Sequence, residues 1–80
     1  MTDTLDPINI LVGSNVRFYR KKQQIKARKF ADSIGISSRK LQKYECGDKS
    51  ISAGRIWQMS YMLNISIQML FDSEVKDLDH

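Results

Sequence analysis

Between Phe30 and Gly47 the chain reads FADSIGISSRKLQKYECG, and this stretch restricts the fold more than any other. Residues 27–34 suit a short helix burying Phe30, Ala31 and Ile34. Gly35 follows where a left-handed residue ends a helix without a Cβ clash. Ser37 is placed to cap another short helix over residues 38–46, which Gly47 then ends. The unit is helix, tight turn, helix, with three or four residues between the two.

The rest of the chain supplies helices to pack against this unit. Asp6 and Pro7 read as the cap and first residue of a helix to about Gln23, with Leu11, Val12, Val16 and Tyr19 on one face. Arg17, Lys21 and Lys22 fall outside. Gly13 within it costs up to ~1 kcal/mol in helix propensity, so irregular first turns are expected. Ser52 or Ser50 caps a fourth helix burying Ile56, Met59, Tyr61 or Met62, and Leu63. Asn64 breaks it, and Ser66 caps a last turn or two with Met69, Leu70 and Phe71. The expectation is an all-α, compact five-helix domain over residues 7–71. It has an N-terminal tail (1–6) and an acidic, frayed tail (72–80).

Eighty residues with 41% apolar and 28% charged composition make one small globular domain. No apolar run approaches the roughly 18 residues that span a bilayer. The start MTDTLDPINILVG is not a secretory signal, so a cytoplasmic, nucleoid-associated location is expected. Charge is unevenly placed. Residues 17–55 hold twelve of the thirteen Lys and Arg against Asp32, Glu45 and Asp48, a local balance of +9. Such a segment attracts polyanions, although a solubilising surface would also carry this charge.

On the 38–46 helix, taking Ser38 as zero, Gln42 falls at about 40°, Arg39 at about 100° and Lys43 at about 140°. Tyr44 and Leu41, at about 240° and 300°, form the opposite, packing face. In a helix-turn-helix the second helix enters the major groove with its early residues against base edges. Arginine bonds guanine O6 and N7 bidentately, and glutamine does the same to adenine. Simple solvation would also place Arg39 and Gln42 outside, but the surrounding pattern favours base contact.

From Val12 to Phe71 the sequence resembles the XRE family of phage repressors and Cro proteins, through VRFYR, FADSIGIS, LQKYECG and MLNISIQMLF. Within that family QKYECGDKSISAGRI is most similar to small alphaproteobacterial regulators with a KYE-x-G-x-x-x-IS segment. The resemblance implies a lambda-repressor-like domain with Ser38, Arg39, Gln42 and Lys43 facing base pairs. It puts Lys26, Arg28, Ser37, Lys40 and Lys49 near backbone phosphates. It pairs Arg20 with Glu45 in a largely buried salt bridge. Three positions depart from the family's pattern: Ala27 for the usual glutamine, Cys46 for asparagine and Ile51 for proline. Lys26, Arg28 and Lys29 are expected to replace the glutamine contact through charge.

The expected function is sequence-specific transcriptional regulation, as a repressor, by a homodimer on a two-fold operator of double-stranded DNA. The dimer surface is expected around Trp57, Tyr61, Ile65, Ile67 and Phe71. A protein-binding module of antitoxin or anti-repressor type is the alternative, and non-specific packaging of nucleic acid a third. No sensor domain is expected within these eighty residues, and control is expected to come from abundance, proteolysis or a regulatory protein partner. No metal-ligand spacing, nucleophile elbow or glycine-rich phosphate loop is present, so no enzyme, cofactor or small-molecule ligand is expected. Cys46 reads as a small, partly buried filler rather than a redox sensor. Met59, Met62 and Met69 read as core or dimer packing.

Overall fold

A computed structural model of the chain describes residues 6–73. The expected tails, 1–6 and 72–80, lie outside the described residues except for Asp6, Asp72 and Ser73. The described chain is all-helical: α1 (Pro7–Lys22), α2 (Ala27–Ser33), α3 (Ser38–Cys46), α4 (Ala53–Leu63) and a closing 3-10 helix (Ile67–Phe71). The expected fifth helix is therefore a single 3-10 segment rather than an α-helix. Ser66 stands at its start but makes no side-chain capping bond, and one short turn gives no room for an α-helical ladder.

Three of the four α-helices begin at a side-chain cap, whereas α2 starts after Lys26 without one. Asp6 Oδ1 accepts the Ile8 amide at 3.0 Å, with Pro7 at the first helical position. Ser37 Oγ accepts the Lys40 amide at 3.1 Å, and Ser52 Oγ the Arg55 amide at 3.2 Å. Gly47 ends α3 at φ 82°, and Asn64 ends α4 at φ 58°. Between α1 and α2 the chain turns through Gln24, a non-glycine residue at φ 61° that the sequence does not signal.

The core joins Val12, Val16 and Tyr19 of α1 to Phe30, Ala31 and Ile34 around α2, and to Leu41 and Tyr44 of α3. Ile51, Ile56, Met59, Leu63 and Leu70 complete it. Leu11, expected inside, is only half-buried. Tyr61 and Met62, the expected alternatives for a core place, are both exposed, at 68% and 39%. Helical phase turns Ser60 inward instead, where its Oγ bonds the Trp57 carbonyl at 2.7 Å.

The irregular turns expected at Gly13 do not occur; α1 is continuous from Pro7 to Lys22. Gly13 serves packing. A Cβ there would lie 2.0 Å from the Tyr44 carbonyl oxygen, so its absence lets α1 lie directly against α3.

Polar clamps hold the ends. Asn15, fully buried, donates from Nδ2 to the Leu70 carbonyl at 2.9 Å and the Asp72 carbonyl at 3.1 Å. Gln23 Nε2 donates to the Leu63 carbonyl at 2.6 Å. Arg55 Nη1 donates to the Ile34 carbonyl at 2.7 Å, and so pins the end of α2 to α4. These three groups satisfy carbonyls that short helices leave open.

Candidate nucleic-acid interface

The α2–turn–α3 unit is held from three sides, and this fixes what α3 presents. Leu41 is 0% and Tyr44 5% exposed on its inner face. Ser38, Arg39, Gln42 and Lys43 are all exposed on the opposite face. Among the described residues none of these four side chains makes a hydrogen bond or an ion pair. The four polar side chains are open to solvent together on one face of α3.

Arg20 and Glu45 set the angle of α3 from beneath. Arg20 Nε donates to Glu45 Oε2 at 2.7 Å and Nη2 to Oε1 at 3.1 Å, a bidentate pair with both side chains under 9% exposed. Its Nη1 donates to the Ile25 carbonyl at 2.7 Å, joining the α1–α2 turn to the same point. The family resemblance implied this pairing; the third bond was not legible, because it depends on Gln24 folding Ile25 back toward α1.

Two hollows flank the exposed ridge of α3. One, about 250 Å³, is lined by Ser37, Arg39, Lys40, Lys43 and Lys49. Four of its five residues are cations, and Lys40 also lies over the Tyr44 ring, 5.8 Å from its centroid. The other, about 660 Å³, runs between α1 and α3 past Ala27, with Arg17, Arg39, Gln42 and Cys46 on its walls. Arg39 borders both, at the crest. Lys26 sits apart, beside Lys29 on a more apolar groove formed by Ile25, Phe30 and Met62. Arg28 is exposed on α2.

Cys46 is exposed, not partly buried as expected, because its helical phase lies with Ser38 and Gln42. The helical period puts Arg17 on the outer face of α1; its place on the hollow depends on how α1 crosses α3. No group of three or more His, Cys, Asp or Glu that could hold a metal occurs among the described residues.

Trp57 and Tyr61 on α4, and Ile67 and Phe71 on the closing 3-10 helix, are exposed apolar side chains, at 58%, 68%, 38% and 43% exposure. The Trp57 and Tyr61 rings stack with centroids 5.3 Å apart and 15° between planes. Ile65 differs, being half-buried against the core.

Comparison with known proteins fits this geometry. A transcriptional regulator from Rhodospirillum rubrum, encoded in an ATPase CF(0) region, is 34% identical over 80 residues, covering 99% of this chain and 74% of that protein. An HTH-type transcriptional regulator from Sinorhizobium medicae is 33% identical over 72 residues, 90% of this chain and 52% of the relative. The chain belongs to the family of helix-turn-helix transcriptional regulators. No protein-family model matches it. This regulator spans about half the length of the rhizobial relatives.

Solved structures agree on the fold. A hypothetical transcription factor from Neisseria superposes with a TM-score of 0.79 at 18% identity, covering 98% of this chain and 88% of that one. The restriction-modification controller protein C.AhdI of Aeromonas hydrophila gives 0.76 at 20% identity, over 82% of this chain and all of its own. At such identity the likeness concerns the fold alone.

Proposed function

We propose that this regulator binds double-stranded DNA sequence-specifically, by laying α3 in the major groove, and that it acts in the cytoplasm as a repressor. The observation that carries the reading is the exposed, internally unpartnered set Ser38, Arg39, Gln42 and Lys43, opposite the buried Leu41 and Tyr44. Arg39 and Gln42 have the donors and acceptors for bidentate readout of guanine and adenine. Ser37, Lys40 and Lys49 line the basic hollow beside them and take strand phosphates, and Lys26, preceding α2, and Arg28, on it, take others away from that hollow. None of these roles calls for catalytic chemistry.

One such unit reads too few base pairs to find a single site, and a homodimer reading half-sites ~34 Å apart on a two-fold operator repairs that. The exposed apolar side chains Trp57, Tyr61, Ile67 and Phe71, with the half-buried Ile65, support this role, since none of them belongs to α3. The same side chains favour the second reading, a heterologous protein partner, with DNA contact secondary.

Fluorescence anisotropy with selected and random duplexes tests the first reading. Wild type is expected to prefer the selected site by ~10³ or more at physiological salt. Arg39→Ala/Gln42→Ala is expected to lose most of that preference while retaining non-specific binding. Equal affinity of wild type for every duplex would refute groove reading and leave only charge-driven binding.

A further inference from the structure

The hollow between α1 and α3 has more structure than the proposed function uses. Its walls carry three guanidinium groups, Arg17, Arg20 and Arg39, and one carboxylate, Glu45. Arg20 is committed to Glu45 and the Ile25 carbonyl, so its charge is neutralised and its nitrogens occupied. Arg17 is exposed and makes no hydrogen bond or ion pair among the described residues. Ala27 contributes only a methyl group to the wall, and Cys46 a short thiol. The hollow therefore holds a free guanidinium on α1, and no side chain of the described residues fills it.

We propose that this hollow is a seat for one phosphodiester of the DNA strand, with Arg17 as the group that binds it. The inference rests on the DNA reading above. When the ridge of α3 faces base edges, what passes along its flank is the sugar–phosphate strand. The hollow opens on that flank, bordered by Arg39 and Gln42. A guanidinium matches two phosphate oxygens with parallel N–H donors, and charge-assisted bonds of this kind are about twice as strong as neutral ones. The small side chains at 27 and 46 let the strand come close. Arg17 thereby takes a part that Lys26, Arg28 and Lys29 were expected to fill by charge alone, and takes it with directed bonds. It is a binding residue that tells one strand geometry from another, not a base reader.

The test is a scan of a selected duplex in which single phosphates are replaced, one at a time, by neutral methylphosphonate. Wild type, Arg17→Ala and Arg17→Lys are compared, and thermal melting checks that each folds. Wild type is expected to lose affinity on the order of tenfold at one phosphate per half-site. Arg17→Ala is expected to be weakened already and indifferent to that replacement, with the slope of log affinity against log salt reduced by about one per protomer. Arg17→Lys is expected to keep the salt slope but recover affinity only in part, since a lysine cannot bond in two parallel contacts. If Arg17→Ala shows the same sensitive phosphates as wild type, the seat is not Arg17's and the inference fails while DNA reading stands. Should wild type fail to prefer the selected duplex at all, both fail together.

Discussion

Arg20 engages three nitrogens at once, two on Glu45 and one on the Ile25 carbonyl, in a place almost closed to water. Such a pair contributes little net stability compared with apolar residues, because removing two charges from water costs about what their attraction returns. Its removal by halves is another matter. Glu45→Ala leaves a buried guanidinium with no counter-charge and is expected to destabilise the domain by ~3–5 kcal/mol in urea unfolding. Arg20→Met/Glu45→Leu is expected to cost far less than either single change. A double variant as unstable as Glu45→Ala would show that the pair itself, not the stranded charge, supports the fold. Both residues were legible through the family pattern. The Ile25 carbonyl was not, since no periodicity reports a backbone oxygen turned toward a side chain.

At the scale of elements, α1 and α3 meet without a side chain between them at Gly13. Propensity favours alanine over glycine in a helix by up to ~1 kcal/mol, and on sequence alone Gly13 looks like a defect. Packing reverses the sign, because a Cβ at this position would sit 2.0 Å from the Tyr44 oxygen. Gly13→Ala is expected to destabilise by ~1–3 kcal/mol, as overpacking does, and to weaken DNA discrimination because α3 must move away. A stabilised Gly13→Ala protein would mean that the two helices separate without cost. Ser37 acts at the same scale: its Oγ caps the Lys40 amide at the start of the reading helix. Ser37→Ala is expected to cost ~1 kcal/mol, read as a lowered thermal midpoint. Asp6, Ser37 and Ser52 were visible as caps in the sequence because their chemistry is local, although Ser66, expected to cap as well, makes no such bond. The close approach of two helices is not local, and no cap or period records it.

For the whole molecule, the basic hollows and the stacked aromatic pair belong to different helices. The basic hollows border α3, whereas the stacked Trp57 and Tyr61 lie on α4, with Ile67 and Phe71 on the closing 3-10 helix. Trp57 is the chain's single tryptophan, so its fluorescence reports on this stacked pair alone. If two copies pair there, emission shifts to shorter wavelength as concentration rises, and Trp57→Ala/Tyr61→Ala sediments as a monomer with its thermal midpoint little changed, both rings being mostly exposed. A wild-type protein that stays monomeric at all concentrations, with or without duplex, would refute the homodimer.

Local chemistry, written in the order of residues, determined where the helices start and stop: Asp6, Ser37 and Ser52 accept amides, and Gly47 and Asn64 take the left-handed conformation. Periodicity likewise determined that Leu41 and Tyr44 face inward while Ser38, Arg39, Gln42 and Lys43 face out. Tertiary structure decided what depends on crossing angles between helices. It made Gly13 a contact point, drew Ile25 onto Arg20, and left Arg17 beside a hollow at Ala27. A helical period specifies the face a residue occupies, but what that face meets is set only when the helices pack.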